Sequence, residues 1–213
     1  MTLQRMFLFP DMNVKHLTML ELEAELDHLR EAPKDHGVVQ LIVRRPQVDY
    51  REVIDEAELD PVKGLIGDSW CFRPSSKTPD RSPHPEMQIN IMNSRVTALV
   101  AQEKDRWPLA GDQLYIDMDL SKENLPGGTQ LAIGTAILEV SPLPHTGCQK
   151  FVARFGLDAM KFVNSSVGKE LCLRGINARV IKGGVIHVGE TARKISNTEQ
   201  TQELVYQTQE QVQ

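Results

Sequence analysis

The sequence predicts a mainly β domain with peripheral helices (α+β), wound into a closed or partly closed barrel. Three observations carry this. Short segments with β-branched or alternating apolar residues follow one another at close spacing. Helical periodicity is confined to a few places. No regular alternation of strand and helix is visible, which disfavours a doubly wound nucleotide-binding sheet.

Taken in chain order, Asn13 reads as a helix cap. Behind it Met19, Leu22, Leu26 and Leu29 recur at spacings of 3, 4 and 3, with acidic residues between them, up to Pro33. Gly37–Arg44 reads as a strand ended by Arg45-Pro46. An acidic helical turn is expected around Arg51–Leu59, broken by Pro61 and Gly64, with Gly67-Asp68 as a turn. Residues 73–86 hold four prolines and three serines and read as an exposed loop. Met87–Ile91 alternates like a strand, and Asn93 then caps a helix with Val96, Leu99 and Val100 on one face.

Asp112–Leu120 alternates polar and apolar side chains. The run Leu131–Leu138 is apolar on both sides with small residues, as a bent, buried barrel strand requires. A loop with turn chemistry, Ser121–Gly128, lies between them. A helix is expected over Asp158–Ser165. Strands are expected over Leu171–Ile181 and Val185–Val188, joined by a turn at Lys182-Gly183-Gly184. The organisation is thus an N-terminal helical extension (1–36), a barrel domain (37–192) and a glutamine-rich, flexible tail (193–213).

The chain has 213 residues, 24 basic and 29 acidic, for a formal charge of −5. That balance argues against a nucleic-acid or anionic-membrane binder. No apolar run is long enough for a membrane helix, and the first ten residues are too short and polar for a signal peptide. Three cysteines without a CxxC spacing argue against a disulfide framework or a tetrahedral zinc site, and point to a cytoplasmic protein with free thiols. Within this acidic chain, residues 145–182 carry seven basic and two acidic side chains. A local basic stretch in an acidic protein suits a small anion better than a polymer.

That stretch opens on His145-Thr146-Gly147-Cys148-Gln149-Lys150-Phe151, with Arg154 beyond. Gly147 permits close approach to the backbone. Cationic neighbours stabilise a thiolate, the form that attacks sulfur or binds metal, so Cys148 is the candidate reactive thiol. Cys71 and Cys172 read as small buried hydrophobes. The glycine pairs at 127–128 and 183–184 match no phosphate-loop or dinucleotide pattern, and no GxSxG or HExxH is present.

The same segment, with Arg154–Ala159 and Leu173–Val180, resembles the MOSC family, named after the C-terminal domain of molybdenum cofactor sulfurase. Gly64–Asp68 resembles the family's Gly-Asp turn. Glu123-Asn124-Leu125 resembles its Gly-Glu-Asn-Leu motif, with Lys122 where many members have glycine. The similarity spans roughly residues 38–190 and is nearest to small stand-alone members. It implies a β-barrel holding the molybdenum cofactor, a phosphate-bearing pterin dithiolene, with Cys148 at the family cysteine.

In one branch that cysteine ligates molybdenum during reduction of N-oxygenated substrates. In another it is a candidate persulfide carrier in sulfur transfer. A third role is non-catalytic cofactor binding or delivery. Cys148 is therefore the expected catalytic residue and metal ligand. His145, Lys150, Arg154, Asp68, Asn124, Arg174 and Asn177 are the expected cofactor-binding residues. A cysteine desulfurase or an electron-transfer protein is the implied partner. Pyridoxal phosphate is not expected on this chain.

Overall fold

The computed structural model describes residues 14–195. The expected cap Asn13 and most of the glutamine-rich tail lie outside them. The first helices are α1 (Met19–Ala24) and α2 (Leu26–Arg30), broken at Glu25, rather than one continuous helix. Thr18, not Asn13, starts α1 through a capping box: the Glu21 amide donates to Thr18 Oγ1, and the Thr18 amide donates to Glu21 Oε2. Leu22 and Leu29 bury the apolar stripe.

Seven strands close the barrel: β1 (His36–Arg44), β5 (Ile89–Asn93), β6 (Leu114–Asp117), β7 (Gln130–Ile133), β8 (Ala136–Pro144), β9 (Ile176–Lys182) and β11 (Thr191–Lys194). The circuit runs β1-β6-β5-β9-β8-β7-β11 and returns to β1. β11 makes that closure, so the barrel reaches Lys194, two residues past the expected boundary. Strand β2 (Glu52–Ile54) extends β1, while β3 (Glu56–Asp60), β4 (Gly64–Leu65) and β10 (Gly184–His187) form a small second sheet.

Several expectations are corrected. The acidic stretch after Arg51 is β2 and β3, not a helical turn: Ala57 and Leu59 are buried while Glu56 and Glu58 point out, a period of two. The run Leu131–Leu138 is two strands, β7 and β8, because Gly134 turns the chain with φ +54°. β9 and β10 are not a hairpin. The chain leaves the barrel at Gly183 and β10 pairs with β3.

A parallel pair is also present. β5 and β6 run side by side, joined by α3 (Ser94–Ala101) and a 3-10 segment, Lys104–Ala110. Asn93 caps α3, its side chain accepting from the Arg95 amide at 2.8 Å. Finally, α4 spans Gln149–Asn164, nine residues earlier than expected, with a non-helical break at Gly156; α5 (Ser166–Glu170) follows.

Two cores result. One fills the barrel with Val39, Ile42, Ile91, Leu114, Ile116 and Leu138. The other lies between the barrel and the helices and contains Leu22, Leu41, Val43, Tyr115, Phe151 and Phe155. A bulge between Val39 and Leu41 shifts the alternation of β1, so that Val39 and Ile42 point in while Leu41 and Val43 meet the helices. No helix among the described residues is long and apolar enough to cross a membrane.

Gly37 marks where β1 passes between its neighbours β11 and β6. A Cβ there would sit 2.6 Å from Met118 Cβ and 2.7 Å from the Asp117 carbonyl oxygen. Gly37→Ala is therefore expected to destabilise the fold by about 1–3 kcal/mol. Urea denaturation reads this as a lower midpoint at an unchanged slope; an unshifted midpoint refutes it.

Candidate functional site

The site gathers where β1 ends, where β8 gives way to α4, and where the 3-10 segment leads into β6. Its hub is the run Leu109–Asp112. Arg154 on α4 donates to the Leu109 carbonyl at 2.7 Å, Arg174 to that of Ala110 at 3.0 Å, and Arg45 to that of Gly111 at 2.8 Å. Three successive carbonyls can splay this way because Gly111 takes φ +90° behind the 3-10 segment.

Arg45 and Asp68 form a buried two-pronged pair at 2.8 and 3.1 Å. The Arg45 and Trp70 amides also donate to Asp68, each at 2.9 Å. Arg45 continues to Asn90 Oδ1 at 2.9 Å, and Asn90 Nδ2 donates to Asn177 Oδ1 at 2.7 Å. Asn177 in turn donates to the Leu143 carbonyl, so one chain of bonds links the Gly-Asp turn to the end of β8.

Arg174 pairs with the fully buried Asp112 at 2.8 and 2.9 Å, and its guanidinium lies 5.1 Å from the centre of the Phe151 ring. Complete burial pushes the Asp112 carboxyl up, and Arg174 opposes that push. His145 Nδ1 lies 3.4 Å from Asp112 Oδ1 but makes no hydrogen bond. Burial first, then Arg174, Arg45 and Lys77, hold its pKa well below the ordinary imidazole value. His145 is thus a neutral base beside a buried ion pair.

The excess charge is concentrated in Arg51. It is buried, its Nη1 donates to the Tyr50 carbonyl, and its Nε finds no partner. Among the described residues no carboxylate pairs with it. Burial, then the charges of Arg154 and Arg45, lower its pKa to about 10. Arg73 is lowered too, by burial and by Arg45. Beside them a cleft of about 290 Å³ is lined by Arg45, Trp70, Arg73, Lys77, His84 and Asn90.

Of the expected residues, Asp68, His145, Arg154, Arg174 and Asn177 come together here. Lys150 is exposed at the rim, where it shares Asp49 with Arg154, both at 3.3 Å. Asn124 is elsewhere. Its amide donates to the carbonyls of Lys34 and Asp119 and accepts from Lys194, which ties the loop to the start of β1. Lys34 precedes that nine-residue strand and Arg45 follows it, a separation of about 30 Å along β1.

Cys148 is exposed and occupies the N-cap position of α4 without a side-chain capping bond. His145 lies before it, and Phe151 and Arg154 lie on the first turns after it. Asn164 fixes the preceding peptide from both sides: the Gly147 amide donates to Oδ1 at 2.9 Å, and Nδ2 donates to the Gly147 carbonyl at 3.0 Å. Arg45, Arg51, Arg73, Asn90, Asp112 and Asn164 are the site residues that sequence reading missed. The Arg44-Arg45-Pro46 run and the acid beginning the alternation at Asp112 were the available signals.

The fold and site define a seven-stranded barrel with buried guanidinium groups at one end, a neutral histidine among them and an exposed thiol on the adjoining helix. No protein-family model and no curated protein matches the chain. Three crystal structures share its fold. The YiiM protein of Geobacillus stearothermophilus is 16% identical, with a TM-score of 0.51 over 76% of this chain and 75% of that one. The YuaD protein of Bacillus subtilis is 15% identical, with a TM-score of 0.51 over 76% and 97%. A hypothetical protein is 20% identical, with a TM-score of 0.52 over 80% and 71%. The fold is MOSC-like.

His145 makes stability depend on pH. Its folded pKa lies below the ordinary 6.5, so below pH 6.5 the unfolded chain binds a proton that the folded chain refuses. This group therefore removes up to about 1.4 kcal/mol of stability per pH unit as pH falls from 6.5 towards 5. His187 works the other way: the hydrogen bonds its ring donates to Glu190 and Glu56 raise its pKa, so its contribution fades as pH rises. Denaturation of wild type and His145→Gln across pH 5–6.5, with His187 present in both, isolates the first effect. Wild type should lose more stability on acidification; parallel curves would exclude a neutral buried His145.

Proposed function

We propose that the arginine end of the barrel binds the molybdenum cofactor and that Cys148 is its protein ligand. The observation that carries this is the uncompensated charge. Among the described residues, five guanidinium groups (Arg45, Arg51, Arg73, Arg154 and Arg174) meet two buried carboxylates, Asp68 and Asp112, and the exposed Asp49, which Arg154 shares with Lys150. The orphaned Arg51 Nε and Arg174 Nε are donors without acceptors, as an incoming phosphate or pterin oxygen would require.

The donor set suits the group in a second way. No cluster of three or more His, Cys, Asp or Glu side chains among the described residues could hold a bare metal ion. A metal at Cys148 would then bring its remaining ligands with it, as a dithiolene does, and a soft thiolate suits it. When bound, the cofactor supplies two-electron redox chemistry at molybdenum.

This chain's residues would do the rest. Arg51, Arg73 and Arg45 hold the phosphate-bearing anion. Arg174 is fixed by Asp112 and Phe151 and braces the cluster from within. His145, neutral and half-buried, lies at the edge of this cluster with its Nδ1 3.4 Å from Asp112 Oδ1. The reaction proposed for it, carried over from the family resemblance, is reduction of an N-oxygenated substrate with electrons from a partner protein. A persulfide on Cys148, delivered by a cysteine desulfurase, is the competing use, because the exposed thiol is open to a second protein.

Protein purified from a cofactor-competent host decides between these. Wild type should carry stoichiometric molybdenum and pterin fluorescence. Cys148→Ser should lose the metal, Cys71→Ser should keep it, and Arg51→Ala should weaken pterin retention about tenfold or more. Metal-free wild type from such a host overturns the proposal. A gain of one sulfur on the Cys148 peptide alone, after incubation with a desulfurase, would select sulfur carriage instead.

A further inference from the structure

A groove of about 740 Å³ runs between the Ser121–Gly128 loop, the end of β8 and the turn after α5. Its walls are apolar, with Leu125, Val140, Leu143 and Ile176. One end reaches His145 and the other holds Lys122, Lys169 and Cys172. Its volume is that of a small-molecule site.

Charge is sorted around it. No carboxylate lines the groove. Glu123 and Glu170, the sequence neighbours of the two lysines, instead line the adjoining cleft together with Asp119, Arg30 and Lys34. Among the described residues neither Lys122 nor Lys169 has an ion-pair partner. The groove therefore offers two free ammonium groups at the head of an apolar trough.

Cys172 adds an independent sign. It takes φ +49° just past α5, where glycine would be free of strain. The turn is closed by bonds from the Leu173 amide to Gly168 and from the Gly175 amide to Cys172. A thiol side chain is thus held against the groove at a backbone position that disfavours any side chain.

We propose that this groove binds an apolar molecule bearing one carboxylate, of the acyl-chain type, with the carboxylate between Lys122 and Lys169 and the chain along Leu125 and Leu143 towards His145. That the far end is presented for reaction rests on the function proposed above; the binding does not.

The three cysteines make the test, on metal-free full-length protein, so that its failure is separate from any failure to bind molybdenum. Iodoacetamide labelling is followed by mass spectrometry with octanoate and with its neutral analogue octanamide. Octanoate should slow labelling of Cys172 at least about tenfold while Cys71 and Cys148 react as before. Octanamide should protect far less, and Lys122→Glu with Lys169→Glu should abolish protection by octanoate. Methyl NMR shifts of Leu125, Val140, Leu143 and Ile176 on octanoate addition give the same answer without alkylation. Equal protection by octanamide, protection that survives the charge reversal, or no shift of these methyls would overturn the proposal.

Discussion

Five guanidinium groups can share one end of a small barrel only if their donors and charge are taken up locally. The run Leu109–Asp112 does this for three of them. Its carbonyls receive Arg154, Arg174 and Arg45 in order, and Asp112 neutralises Arg174. Gly111 permits it through its backbone. It supplies the left-handed turn at φ +90°, and it also sits in van der Waals reach of the guanidinium groups of Arg154 and Arg51. The parallel β5–β6 crossover is what delivers this segment to the barrel end.

The pairs around this hub are not equal. Removing Asp68 or Asp112 would strand a buried guanidinium, a loss on the order of 3–5 kcal/mol. The exposed Lys150–Asp49 contact belongs to the surface class, worth about 0–1 kcal/mol. Structural support is therefore deep, while the rim can change at little cost. Arg51 differs from both: its charge is buried and unpaired, so an arriving anion gains what the free protein forgoes.

This hierarchy also explains what the sequence made legible. Asp68, His145, Arg174 and Asn177 sit beside glycine turns or family-like motifs, so they could be named from the chain. Arg45, Asn90 and Asp112 lie in or next to ordinary strands, and only weak local signals mark them. Their meaning comes from partners 23 to 87 residues away. The acidic β3 was misread because Glu56 and Glu58 mask the two-residue period of Ala57 and Leu59. Asn124 matched a motif, yet its amide is spent holding a loop to the start of β1. The loop at 73–86, by contrast, was visible from its prolines, and it does border the cationic cleft through Arg73, Lys77 and His84.

Charge counting along the chain found only part of the buried cationic cluster. Residues 145–182 supply only Arg154 and Arg174 to the cluster. Arg45 and Arg51 come from the first 60 residues, which carry seven basic and thirteen acidic side chains. Folding separates what composition averages. The acids of that region, Glu52, Glu56 and Glu58 among them, stay on outer strands, while the two arginines turn into the barrel end. Buried cations lie at the barrel end while the acids of the same region face outward. The exposed thiol of Cys148 stands on the helix beside that end. Cys172 lies off it, in a groove with its own two cations. The two cationic regions differ in kind: guanidinium groups braced by buried carboxylates at the barrel end, and two ammonium groups beside an apolar groove that His145 also lines.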